Sequence, residues 1–288
     1  MTTPYDRRRE DVGNIIALEH VNLAVPDQQL ATAFYISGMG FTRDPFMFPG
    51  LENMWINIGR SQCHLPSRGT QRLRGTIGIV VPDLDKLAQR LAAVAPRLAG
   101  TQFQVAAHAG RIDATCPWGN RYRCHAPSPD FGDMTLGMPY VEFDVPPGSA
   151  GGIAHFYREL IGAPSALEHR DGAAVAVVDS GPGQALRFRE TAAPLPDYDQ
   201  HHIQIYIAEL SGPHEALLKR GLITEESNPH QYRFRDIVDP ASGRVLYTVE
   251  HEVRSLTNPL YARPLVNRNP DQSNNAYIRG QDHFRGTY

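Results

Sequence analysis

Three histidines hold most of the metal-capable chemistry in this sequence. His20 lies in the alternating run Leu18-Glu19-His20-Val21-Asn22-Leu23-Ala24-Val25, and His202 opens the run His202 to Ile207. His64 shares a strand face with Gln62 by period-two alternation. Neutral imidazoles joined by one carboxylate suit Fe(II), Zn, Mn, Co or Ni, and two histidines with one carboxylate and open positions form the usual non-haem Fe(II) face. Carboxylates near the end of the last strand-like run are Glu250 and Glu252. Candidate bases are His201, Tyr206, His230 and Tyr247. Gln62, Gln204, Arg254 and Arg268 are candidates for substrate contact, and the two arginines suit bidentate clamping of an anion. Each also has an ordinary reading. A histidine that begins a strand is commonly a hydrogen-bonded rim residue, Glu250-His251-Glu252 reads equally as a solvated strand end, and Arg187, Arg189 and Glu190 read as a cross-strand ion pair.

The elements that position these residues repeat four times. In the first copy the strand through His20 stops at Pro26-Asp27, a helix through Gln29 to Ser37 carries Phe34-Tyr35, Gly38-Met39-Gly40-Phe41 ends it, and strands follow at Asn53 to Ile58 and Ser61 to Leu65. The second runs from Thr76 to Val81 through an amphipathic helix over Lys86 to Leu98, and on through strands ending near His125. A third starts at Tyr140 to Val145, with Phe156-Tyr157 before Leu160-Ile161-Gly162. The fourth runs from His202 to a strand over Arg244 to about Val253, preceded by Asp239-Pro240-Ala241-Ser242-Gly243. Each unit reads as βαβββ. The expected organisation is an N-terminal extension over 1–15, modules one and two over 16–127, modules three and four over 138–254, and an extended tail over 255–288. Segments 128–137 and 192–200 read as linkers. The proline-rich tail reads as disordered or as a strap docked by Tyr261, Leu265 and Val266.

These residues resemble the vicinal-oxygen-chelate superfamily, which includes glyoxalase I, extradiol ring-cleaving dioxygenases, fosfomycin-resistance enzymes and bleomycin-binding proteins. The resemblance covers about residues 16–254 and rests on His-x-x-x-x-Val-Pro-Asp in the first strand, Phe-Tyr before a glycine-rich helix end, and Asp-Pro-x-x-Gly before the last strand. It implies an α+β fold of four βαβββ modules forming two cup-shaped half-barrel domains, with metal ligands on the first and last strands of the modules. The first-strand position holds His20, Thr76, Tyr140 and His202 in turn, so only the outer modules offer a ligand there. His64 occupies the second ligand position of module one, whereas Arg123 and Arg187 or Phe188 stand near the matching places of modules two and three.

The resemblance further implies a divalent-metal site of His20, His64, His202 and Glu250, provided module one pairs with module four, as in fused glyoxalases. Pairing of one with two and three with four, as in the ring-cleaving dioxygenases, leaves each cup with an incomplete set. Family spacing from Gly243 puts Tyr247 at the carboxylate position, and a longer hairpin or a bulge would bring Glu250 there instead. The second cup, lined by Thr76, Arg123, Tyr140 and Glu142, is then expected to be metal-free and structural, or to bind an anion. An Fe(II)-dependent oxygenase acting on a catechol-like or hydroxy-keto compound is favoured over a glyoxalase-type lyase or isomerase, and over a metal-free small-molecule binding protein. His230 falls roughly where ring-cleaving dioxygenases carry a catalytic histidine, but Arg235-Asp236 replaces their apolar-tyrosine pair.

Bulk properties exclude other classes. The 28 Lys+Arg against 31 Asp+Glu leave a formal charge of -3, no footprint for nucleic acid or an anionic membrane. Three cysteines without CxxC spacing argue against a disulfide framework or a thiolate zinc site. The sequence shows no apolar run of spanning length and no export signal, so a cytoplasmic monomer or homodimer binding a small-molecule substrate is the expectation.

Overall fold

The computed structural model describes residues 7–44, 52–265 and 278. Each module contributes four strands: β1 (Ile15–Asn22), β2 (Thr42–Arg43), β3 (Asn53–Ile58) and β4 (Ser61–Pro66) in the first, and β5 (Gly75–Val80), β6 (Gln104–His108), β7 (Arg111–Thr115) and β8 (Arg121–His125) in the second. The third supplies β9 (Gly137–Val145), β10 (Ser165–Arg170), β11 (Ala173–Asp179) and β12 (Ala185–Glu190), and the fourth β13 (His202–Ile207), β14 (Ile223–Asn228), β15 (Gln231–Val238) and β16 (Val245–Ser255). They form two eight-stranded sheets, one ordered β14-β15-β16-β13-β1-β4-β3-β2 and the other β10-β11-β12-β9-β5-β8-β7-β6. Module one therefore shares a sheet with module four, and module two with module three. This is the two-cup α+β architecture. In each cup the two first strands pair antiparallel at the centre, and each is flanked by the parallel last strand of its own module.

Alternation sorts the side chains. Val21, Ile203, Ile205, Val249 and Val253 face an apolar core under the helices, whereas Trp55, Tyr140 and Tyr206 are buried outside it, on the cup faces. Asp27 caps the helix α1 (Gln28–Ala31) by accepting from the Gln29 and Leu30 N–H groups at 2.8 and 2.9 Å. That helix continues as a π-helical turn, Thr32–Gly38, and a second π-helical turn occurs at Tyr157–Ile161 in module three. The first holds Phe34-Tyr35, and the second opens on Tyr157 directly after Phe156. Tyr35 bonds the Tyr122 hydroxyl at 2.7 Å, and Tyr157 bonds His251 Nε2 at 2.5 Å. Helices thus tie module one to two and three to four, while the sheets tie one to four and two to three.

Residues 256–265 dock on the first cup. Arg263 donates to Asp44 at 2.6 Å with both side chains buried, and Tyr261 packs edge-on to Tyr206 with ring centroids 4.9 Å apart. Val266 and Arg268 lie outside the described residues. No helix among the described residues is long and apolar enough to cross a membrane.

Candidate metal centre

A β-bulge positions the first candidate ligand, His20. The register of β1 against β13 shifts between Leu18 and His20, so the neighbours Glu19 and His20 are not strictly alternated. The Glu19 carboxylate then accepts a hydrogen bond from His20 Nδ1 at 2.9 Å. Nδ1 is thus engaged as the donor, which leaves Nε2 as the ring nitrogen open to a metal. His20 Nε2 is buried and has no hydrogen-bond partner. A carboxylate behind an imidazole is the arrangement that orients a metal-binding histidine and raises its basicity.

Strand register identifies the mates of His20. Across the floor His20 faces Gln204, and Asn22 faces His202. On the flanks His20 lies beside Gln62 and Asn22 beside His64, while His202 lies beside Glu250 and Gln204 beside Glu252. By the internal two-fold relation of the modules, His202 is the counterpart of His20, and Glu252 is the counterpart of His64. Glu250 is the counterpart of Gln62. Donor atoms of His20, His202 and Glu252 all lie within 4.8 Å of one another. His202 Nε2 is 3.6 Å from Glu252, and its ring centroid is 5.8 Å from that of His20. The His64 centroid lies 6.1 Å from His20; its Nε2 meets Asn53 Oδ1 at 2.5 Å and its ring stacks on Trp55 at 3.9 Å.

No protein-family model and no curated protein matches the sequence. Solved structures do match. A candidate dioxygenase from Bacillus subtilis superposes over 94% of this chain and 92% of its own, with a TM-score of 0.57 at 12% identity. Glyoxalase I from Zea mays superposes over 83% of this chain and 92% of its own, with a TM-score of 0.56 at 14% identity. The chain has the vicinal-oxygen-chelate fold.

Within this vicinal-oxygen-chelate cup the electrostatics are closely balanced. Burial would raise the Glu252 carboxyl, but Arg254, His20 and Arg233 hold it below the ordinary carboxylate range, and both arginines contact it directly. Glu19 is likewise raised by burial and brought below its usual value by the His20 bond and Arg254. Burial, with His20 nearby, pushes both His64 and His202 well below 6.5, which keeps them neutral and able to donate a lone pair. Glu250 accepts from Arg233 at 2.6 Å and Arg235 at 3.0 Å, and stands 3.7 Å from His202 Nδ1. Its carboxylate supports the cluster from outside. The donor set of two imidazoles and one ionised carboxylate, with an orphaned Nε2 on His20, fits a divalent ion.

Other expected residues divide by face. Gln204 is fully buried on the cup floor, and neither its Nε2 nor its Oε1 has a partner. Arg254 links Glu252 to Gln231 at 2.9 Å and to the Tyr206 hydroxyl at 3.4 Å, so Tyr206 and Arg254 do border the site. Gln62 instead donates to Asp44 at 2.8 Å and Asn57 at 2.6 Å, joining the strap. His201 precedes the first inward residue of β13 and pairs with Asp199 at 2.6 Å, away from His202. His230 sits at the β14–β15 turn against Thr257, and Tyr247 packs in the core under the Arg74 guanidinium and near Phe143. These three do not join the cluster. Two register shifts in the β15–β16 pairing set the inward face of β16 as Glu250, Glu252 and Arg254. Both acids are paired with arginines, and the carboxylate whose oxygen comes within 4.8 Å of the His20 and His202 donor atoms is that of Glu252, where Glu250 was expected. Glu19 and Arg233 escaped sequence reasoning. Only the Glu-His adjacency at 19–20 could have pointed to the first, and alternation argues against it.

Proposed function

We propose that this protein is a divalent-metal-dependent enzyme of the vicinal-oxygen-chelate type, acting on a small oxygenated chelator, catechol-like or hydroxy-keto. The observation that carries the reading is the meeting of His20, His202 and Glu252 donor atoms within 4.8 Å. Fe(II) and oxygenase chemistry are favoured because two histidines and one carboxylate are the non-haem Fe(II) set, with Zn, Mn, Ni or Co as alternatives. A bound divalent ion would lower the proton affinity of two adjacent substrate oxygens. The protein's own groups do the rest. Glu19 orients His20, Arg233 and Arg254 keep Glu252 ionised, and the unpartnered Gln204 amide offers a donor and an acceptor to a ligand on the floor. Neutral His64 borders the cluster, stacked on Trp55 and donating from Nε2 to Asn53 Oδ1.

A glyoxalase-type lyase or isomerase is the second reading, favoured by the sharing of one cup between modules one and four. Metal analysis after expression in supplemented medium comes first. Occupancy near one equivalent supports both readings; below about 0.1 equivalent, with no binding on titration, a metal-free binding protein replaces them. Oxygen uptake with catechols by the Fe(II)-loaded protein supports the oxygenase. Metal-dependent turnover of a hydroxy-keto compound without oxygen uptake would move the assignment to the lyase.

A further inference from the structure

The second cup repeats the floor of the first with different chemistry. Gly78 faces Tyr140 across the central pair as Asn22 faces His202, and Thr76 faces Glu142 as His20 faces Gln204. On the flanks Gly78 lies beside Arg123 and Glu142 beside Arg187. The positions of His20, His64, His202 and Glu252 are therefore taken by Thr76, Arg123, Tyr140 and Arg187. Two guanidinium groups stand where the first cup has an imidazole and a carboxylate.

Arg187 is held on an aromatic face rather than in an ion pair. Its guanidinium carbon lies 3.8 Å from the centroid of the Tyr140 ring, and a Cβ built on Gly78 would come within 2.4 Å of that ring. Tyr140 is thus clamped between a glycine that makes room for it and an arginine that covers it. Among the described residues Arg187 makes no ion pair, and its buried Nε has no hydrogen-bond partner. The expected pairing with Glu190 is absent, because Glu190 accepts instead from the Ala150 N–H at 2.9 Å. Arg123 Nε is also buried without a hydrogen bond, at 3.6 Å from an Asp113 shared with Arg111 and His108. Nearby, His125 Nε2 meets the Tyr140 hydroxyl at 2.9 Å. Against these stand Glu142, next to Arg187 in register, and Glu168, which is paired with Arg170 at 2.7 Å.

We propose that the second cup is a binding site for a small oxyanion, a carboxylate or phosphate group received by Arg187 and Arg123 beside the Tyr140 hydroxyl. A planar guanidinium stacked on a ring keeps its donor edge in one orientation, so little freedom is lost when an oxyanion arrives. Burial disfavours the Arg187 cation by more than Tyr140, Glu142 and Glu168 favour it, so an anion adds what these leave short. Glu142 sets a limit, since it repels a simple anion.

Isothermal titration of the intact protein with benzoate and with inorganic phosphate, at low salt, tests this. One-site binding that weakens with salt is expected, and the tighter probe names the anion class. Arg187→Gln should weaken it at least about tenfold, Arg187→Lys less, and His20→Ala not at all. Glu142→Gln should tighten it, the opposite sign from a fold defect. Absence of binding by either anion to the folded protein overturns the proposal. So does binding that survives Arg187→Gln, that is lost in His20→Ala, or that weakens in Glu142→Gln.

Discussion

The floor of the first cup carries His20, His64, His202 and Glu252, and the matching floor of the second carries Thr76, Arg123, Tyr140 and Arg187. Backbone geometry is shared, down to an antiparallel central pair flanked by parallel strands. The difference lies in how charge is settled. In the first cup every arginine at the site has an acid, Arg254 and Arg233 on Glu252 and Arg235 on Glu250, so the carboxylate stays ionised, while burial keeps His64 and His202 neutral beside it. In the second, Arg187 is settled on an aromatic face instead. One scaffold thus supports a cation-ready and an anion-ready floor, and the choice rests on four side chains at equivalent positions. Fold alone therefore does not decide which cup is chemically active.

The largest expected effect breaks the metal half of the comparison. His20→Ala and His202→Ala should each abolish metal binding, a loss of at least about a hundredfold in affinity, whereas Thr76→Ala should leave occupancy unchanged; metal content after dialysis reads this directly. Glu19→Gln should weaken metal about 10- to 100-fold while leaving all ligands in place, since it removes only the group that orients His20.

Ion pairing gives the next contrast. Glu252→Ala breaks two buried ion pairs, leaving Arg254 only the more distant Glu19 at 3.6 Å and Arg233 on Glu250, and urea unfolding should show a loss of about 3–5 kcal/mol. Arg187→Gln at the equivalent position of the second cup strands no acid and gives up a ring contact, so its cost should stay near 1 kcal/mol. Equal losses from the two variants would contradict the account of how each cup settles its charge.

Much of this was legible in the sequence, and the reason is periodicity. Four copies of strand, helix and glycine-marked helix end specify the modules, and the residue pattern places Gln62 with His64 and sets the limits of β3 and β13 where the structure has them. What escaped involves breaks in alternation. The bulge at Glu19 puts adjacent residues of β1 into one hydrogen bond, and the shifts along β16 decide between Glu250 and Glu252. Both arise from pairing with a strand nearly two hundred residues away or from local twist, which a single strand's pattern does not encode. Arg233 enters the site from β15, an element that carried no motif.

Close packing in the second cup offers a smaller test. Gly78→Ala would drive a methyl group into the Tyr140 ring that Arg187 covers, and an overpacking loss of about 1–3 kcal/mol is expected in thermal or urea unfolding. Gly78→Ala/Tyr140→Leu should recover part of it. The first cup has Asn22 at this position, so Asn22→Ala should produce no comparable clash.

The helix-side links differ in a way that pH resolves. Tyr35 reaches Tyr122 in module two, and Tyr157 reaches His251 in module four, from matching helices to matching last-strand positions. Burial holds His251 at about 3, far below its ordinary 6.5. Between those values the unfolded chain binds a proton that the folded chain refuses. The stabilising contribution is complete above pH 6.5 and falls as pH drops through that window, by about 1.4 kcal/mol per pH unit. Tyr157→Phe/His251→Leu, which removes the histidine without stranding the phenol, should flatten the pH dependence of unfolding free energy between pH 6.5 and 4.5 by about that slope. Tyr35→Phe/Tyr122→Phe, the equivalent change on the other side, should leave the slope as it is, because neither phenol titrates there. A slope unchanged in the first variant would place the acid sensitivity elsewhere, with His64 and His202 of the first cup the next to test.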